Sequence, residues 1–307
     1  MHAVDSAKFR SDAAIIKLRE AARNYFSLNP EIIIGINGSY ARREATQGSD
    51  LDLFYLYTST KPLELSLKEG FDQIVVGLGF RLPSTGGVFS GALSTAELMK
   101  NIGGMDDTNT SITRRLLLML EGDWLYNKIE FDSLRQRLFE RYVNDQIPDE
   151  KICLYLLNDI IRYWRTICVD YEHKITEDKK PRGIRLVKLR FSRLMLIFAG
   201  ILAVAETHNI SPVEKRKKLS EQLALPVIER VRKTAGKNSH KVIEYYNYFL
   251  GELDNEHVRK VLEQDNFEDS DEYQNLRRQS KFFKIALFEL LDSKYPSTHP
   301  IHRALML

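Results

Sequence analysis

Only two cysteines, Cys153 and Cys168, occur in the 307 residues, and both fall in one segment with helical spacing. A rise of 1.5 Å per residue puts them about 22 Å apart, beyond disulfide reach. A disulfide between them is excluded, and free thiols in a reducing compartment are expected. Long hydrophobic runs are also missing. The most apolar one, LMLIFAGILAVA at 194–205, is too short to span a bilayer, and Arg190 and Arg193 lie just upstream. The opening MHAVDSAKFRSDAAIIKLREAA has no apolar core of signal-peptide type. The expectation is a soluble, cytoplasmic protein with no membrane partner. Neither sign of charge dominates, since the net is +3, and attraction to nucleic acid would need local patches. No repeat of fixed period is visible.

What is present falls into two parts. Residues 12–26 have helical spacing, EIIIGING (31–38) is a short apolar strand, and DLDLFYLY (50–57) is a second. The stretch 62–79 mixes helix with a possible third strand, IVVGLGFRL at 74–82, before a glycine-rich region through residue 109. After about residue 110 the apolar residues recur at three-to-four spacing in six or seven helices, divided by Pro148, Pro181–Gly183, Pro212 and Gly236. The fold class is therefore α+β: a small mixed-sheet domain over 1–145, then an all-helical bundle over 146–307.

The chemistry concentrates in NGSYARREATQGSDLDLFYLY, residues 37–57. Strand alternation turns Asp50 and Asp52 to one side and Leu51 and Leu53 to the other. Two adjacent carboxylates repel unless a cation sits between them, and hard oxygen ligands suit Mg²⁺ carrying substrate phosphates. Gly38 and Ser39, where a strand turns into a helix, offer backbone N–H groups and a hydroxyl to a phosphate chain. Cradle and carboxylates together describe metal-assisted nucleotidyl transfer.

The run GSYARREATQGSDLDL resembles the signature of the DNA polymerase beta-type nucleotidyltransferase superfamily, in which Gly-Ser precedes Asp-x-Asp at about this spacing. The matching residues are Gly38, Ser39, Asp50 and Asp52, with Arg42 and Ser49 in places often filled that way. Within the superfamily the chain looks most like the protein-PII uridylyltransferases and related nucleotidyltransferases. RRLLLMLEGDWLYN is similar to a helix of that group ending in Gly-Asp, and the likeness reaches roughly residue 142. The resemblance implies a nucleotidyltransferase domain with a two-metal Mg²⁺ site on Asp50 and Asp52. It implies an NTP or dNTP donor, and a protein side chain or growing oligonucleotide as acceptor. Members include protein modifiers, terminal transferases, antibiotic modifiers and makers of nucleotide signals in bacterial antiviral defence.

Two departures from that pattern stand out. The superfamily normally places a third carboxylate on a later strand, and 74–82 has none. Asp106 and Asp107 are the nearest candidates, with Asp72 behind them. Asp107 is carried as a catalytic candidate, although an Asp-Asp pair there serves equally as a helix N-cap. The uridylyltransferases also carry a His-Asp hydrolase domain, and none of the seven histidines here precedes an aspartate.

In the helical half, residues 179–193 hold seven Lys or Arg and no acid, while 251–275 hold nine acids against two bases. Arg162 and Arg165 share a helix face and are candidates for binding nucleotide phosphates, as Arg42 is. Arg182, Arg185, Arg190 and Arg193 form a basic arc, suited to phosphates or to salt bridges with the acidic helices. VEKRKKLSEQ (213–222) reads as an exposed helix start. The rival to an enzyme is a non-catalytic nucleotide-binding regulatory module, such as a toxin–antitoxin partner.

Overall fold

The amphipathic opening segment folds as α1 (Ala3–Phe26), and the isoleucine run after it as β1 (Ile32–Asn37), buried throughout. After the one-turn helix α2 (Gly38–Ala41) the chain returns as β2 (Asp52–Tyr57), antiparallel to β1. There follow α3 (Leu65–Gly77), a two-residue β3 (Leu93–Ser94), α4 (Thr95–Leu98), α5 (Asn109–Leu120), β4 (Asp123–Tyr126) and α6 (Lys128–Tyr142). The sheet runs in the order β3-β2-β1-β4 and is mixed, with β2 and β3 parallel. The structure, a computed structural model, describes residues 2–83, 87–176 and 181–306. The chain divides into two compact units, Ala7–Arg141 and Met1–Ser6 with Tyr142–Leu307.

Alternation sorts the sheet residues between two faces. Ile32, Ile34, Ile36, Leu51 and Tyr55 belong to one core with Leu18 and Phe26 of α1 and Phe71 and Val75 of α3. Phe54 turns to the other face, where its ring meets Phe89 at 5.3 Å and Phe131 of α6 at 6.3 Å. Asn37 and Asp52 are cross-strand partners in the β1–β2 register, so they share that second face.

The strand expected at 74–82 is instead the end of α3 and its cap. Gly79 adopts a left-handed φ of +88°, its N–H donates to the Val76 carbonyl, and the Phe80 N–H donates to that of Val75. These two bonds end a helix in the Schellman manner, with glycine where a side chain would be strained. The strand that does flank β2 is β3, and it carries no acid.

The second unit is helical among its described residues. It comprises α7 (Leu154–Thr176), α8 (Arg182–Lys188), a π-helical segment Leu189–Arg193, α9 (Leu194–Ala205), α10 (Pro212–Leu223) and α11 (Val227–Ala235). It continues with α12 (His240–Asp254), α13 (Glu256–Leu262), α14 (Asp271–Lys294) and α15 (Pro300–Ala304). There are more helices than the spacing suggested, because short caps cut the periodic segments. Phe191, Phe249 and Phe283 stack at the centre, 4.7 and 5.2 Å apart. Among the described residues no helix is long and apolar enough to cross a membrane.

Candidate active site

The site begins where β1 ends. Asn37 is still extended, and Gly38 then takes a φ of +73° to start α2. A side chain at position 38 would be strained by that angle, and its Cβ would lie 2.0 Å from Asp52 Oδ2. Gly38 therefore does two things: it turns the chain and lets the Asp52 carboxylate rest against the turn.

Asp52 opens β2, half-buried, while Asp50 stands two residues earlier with 53% of its side chain exposed and Arg81 Nε 3.9 Å away. Leu51 between them is fully buried in the core, as alternation requires. Beside Asp52 across the strand pair, Asn37 Oδ1 is buried with no hydrogen-bond partner among the described residues. A buried oxygen left so costs about 1–3 kcal/mol. Two carboxylates and an amide oxygen are hard donors of the kind that suits Mg²⁺. No group of three or more His, Cys, Asp or Glu among the described residues is placed to share a metal.

Asp107 is not available to complete that set. Both its oxygens meet the Arg115 guanidinium, at 2.8 and 2.7 Å, and it also accepts from the Gly103 N–H at 3.0 Å. Neither side chain of this pair has any exposure. The fork-to-fork bridge spends the carboxylate on folding, and the cap of α5 is Thr108 rather than an aspartate. Asp106 is exposed. Asp72 bonds Lys68 and the Tyr55 hydroxyl, and Tyr55 belongs to the opposite face of the sheet from Asp52.

Arg42 is also placed differently from the expectation. Its guanidinium is buried and bonds Glu44 at 2.8 Å and Glu121 at 2.6 Å. The other Glu121 oxygen accepts the Gly38 N–H at 2.9 Å. Arg42 thus braces the Gly-Ser turn through Glu121, and the Gly38 N–H is turned to this carboxylate rather than to a phosphate. Arg43, at a strained φ of +64°, is pinned by Asp12 and Asp123, and Arg19 adds a second hold on Asp123. Burial pushes the Tyr40 hydroxyl above its ordinary range, so it stays protonated. Ser39 is half-exposed at the same turn.

Nothing in the sequence pattern marks Glu44 or Glu121 as part of the site. The register pairs Ile36 with Asp123, which carries Glu121 to the end of β1. A glutamate two residues ahead of a strand beginning DWLY points to the site only once that register is known.

In the helical unit Arg165 is exposed on α7 and Arg162 is half-buried one turn earlier. Arg182 reaches the Tyr171 hydroxyl at 3.4 Å and Glu268 at 3.6 Å, and Arg190 donates to the Tyr273 hydroxyl. Arg182, Arg190 and Arg277 line an open cavity of about 480 Å³ together with Glu268 and Asp269. Its lining is of mixed sign, since part of the basic arc faces the acidic run. A scan against protein-family models and a search of curated proteins found no match to this chain.

Proposed function

We propose that the chain is a Mg²⁺-dependent nucleotidyltransferase, moving a nucleoside monophosphate from an NTP or dNTP to a hydroxyl acceptor. The observation that carries this reading is the seating of Asp52 against Gly38, a contact that only glycine permits, with Asp50 beside it and open to solvent. Asp50 and Asp52 would hold the ion, with Asn37 Oδ1 as a neutral third oxygen. The ion would supply neutralisation of the triphosphate and Lewis-acid activation. The Ser39 hydroxyl at the turn would donate a hydrogen bond to a triphosphate oxygen. Arg81, 59% exposed beside Asp50, takes the charge-neutralising role that Arg42 is too buried to play. The acceptor is a protein side chain or a growing oligonucleotide, and the motif resemblance supports both.

A non-catalytic nucleotide-binding module is the second reading, favoured by the burial of Asp107 with Arg115, which leaves two acids where the superfamily uses three. One assay separates them. The purified chain is incubated with Mg²⁺ and each labelled NTP and dNTP, and pyrophosphate and label transfer are followed. Transfer that falls a hundredfold or so in Asp50→Asn and Asp52→Asn, the scale of several kcal/mol of charge stabilisation, supports the enzyme. Nucleotide binding without pyrophosphate release supports the module.

A further inference from the structure

Along α14, Phe282, Ile285 and Phe288 are 45%, 49% and 58% exposed, a run of large apolar side chains on one helix face. The next apolar positions, Phe283, Leu287 and Leu290, are buried, so α14 already has its core-facing stripe and this is a second one. Single exposed apolar residues are ordinary, but three clustered on one face mark an interaction surface. At 100° per residue, Arg278, Lys281, Phe282, Phe288, Glu289 and Asp292 all lie within about 60° of the Ile285 direction.

The order of these residues identifies the occupant. About Ile285 the face reads symmetrically in shape and antisymmetrically in charge. Phe282 and Phe288 stand equally far on either side, as do Lys281 and Glu289, and Arg278 and Asp292. All four charged residues are exposed. Two copies of α14 laid antiparallel about Ile285 would set the basic half of one face over the acidic half of the other, with Lys281 beside the second copy's Asp292 and Arg278 beside its Glu289, each pair on one flank of the seam. A parallel pairing would set Lys281 against Lys281 and Asp292 against Asp292, which like-charge repulsion opposes. An unrelated partner would need no such relation between the two halves of the helix. Self-complementarity is what a twofold interface requires.

We propose that this chain forms a homodimer through antiparallel pairing of α14 about Ile285. The neighbouring α12 prepares the surface. Tyr245 stacks on Phe282 with ring centroids 6.2 Å apart, and Lys241 holds Glu289 at 2.7 Å, where the second copy's Arg278 would share it. Three apolar side chains a protomer make a small interface, so dimer and monomer exchange on dilution.

Sedimentation velocity on the full chain, across a dilution series, reads this equilibrium. Ile285→Asp is expected to weaken the dimer roughly thirtyfold or more, the effect of losing a central anchor. Lys281→Glu and Asp292→Lys should each weaken it, and the two together should restore it, because the swapped charges again face each other. Circular dichroism checks the fold of each variant; if Ile285→Asp fails to fold, the charge swap, confined to exposed side chains, carries the test. A chain that stays monomeric to its highest soluble concentration overturns the proposal. So does a dimer indifferent to the folded variants, or a double variant no tighter than the singles.

Discussion

Gly38 and Asp52 depend on each other. The left-handed φ at 38 is available to glycine at little cost, and the carboxylate takes up the space that a Cβ would fill. Gly38→Ala should therefore cost about 2 kcal/mol of stability from backbone strain alone and push Asp52 out of register with Asp50. The expected outcome is a lower melting temperature together with loss of nucleotide transfer, where a purely structural defect would lower stability and leave the folded fraction active. Asp107 and Arg42 should behave in the opposite way. Breaking one member of a buried ion pair costs about 3–5 kcal/mol. Asp107→Asn should fall in that range by chemical denaturation, with turnover per folded molecule close to that of the parent. Arg42→Met should likewise lose stability first. An Asp107→Asn protein as stable as the parent but inactive would return the third-acid role to this residue.

The elements owe their limits to short local contests that periodicity does not reveal. The apolar residues of 74–80 suit strand or helix equally, and Gly79 decides for the helix by closing the two capping bonds. At α10 the start is marked by a capping box, in which Ser211 accepts from the Glu214 N–H and Glu214 accepts from Ser211. Ser211→Ala should cost about 1 kcal/mol. The lysine-rich run that follows is not all surface. Lys215 is fully buried, with Nζ donating to the carbonyls of Asp149, Thr207 and Ile210 at 2.6–2.8 Å. Burial lowers its pKa. Lys215→Met fills the same space but leaves those carbonyls unmet, so a loss of about 3 kcal/mol is expected. Its neighbours Lys217 and Lys218 should tolerate the same change with little effect, and thermal melts of the three variants make the comparison.

At the scale of the whole chain, the open chemical question is the acceptor. A nucleic-acid chain engages several phosphates, and each contact adds about 0.7 to the log–log salt slope for single strands. If the acceptor is a growing oligonucleotide, label should build into a ladder that shortens as salt rises. Arg165→Ala and Arg182→Ala should shorten it further while leaving the first addition nearly unchanged. Arg182 already has Glu268 nearby, so Arg165, exposed on α7, should show the larger effect. A single small labelled product, indifferent to salt and to both arginines, would point to a small acceptor instead.

The chain's order of residues was enough to mark the catalytic candidates. A Gly-Ser turn and an Asp-x-Asp strand start are local, and spacing alone states which side chains share a face. β1, β2 and the apolar run of α9 were legible for the same reason, since each is bounded by its own neighbours. Which acid would serve as a third ligand was not legible, because a carboxylate's role depends on what it meets across the fold. Asp107 meets Arg115 eight residues on, Arg42 meets Glu121 from a helix end far along the chain, and Asn37 Oδ1 finds no hydrogen-bond partner among the described residues. Sequence determined the presence of each charge; only tertiary packing decided which charges cancel inside the protein and which stay open for chemistry, because desolvation and pairing act between segments that spacing does not connect.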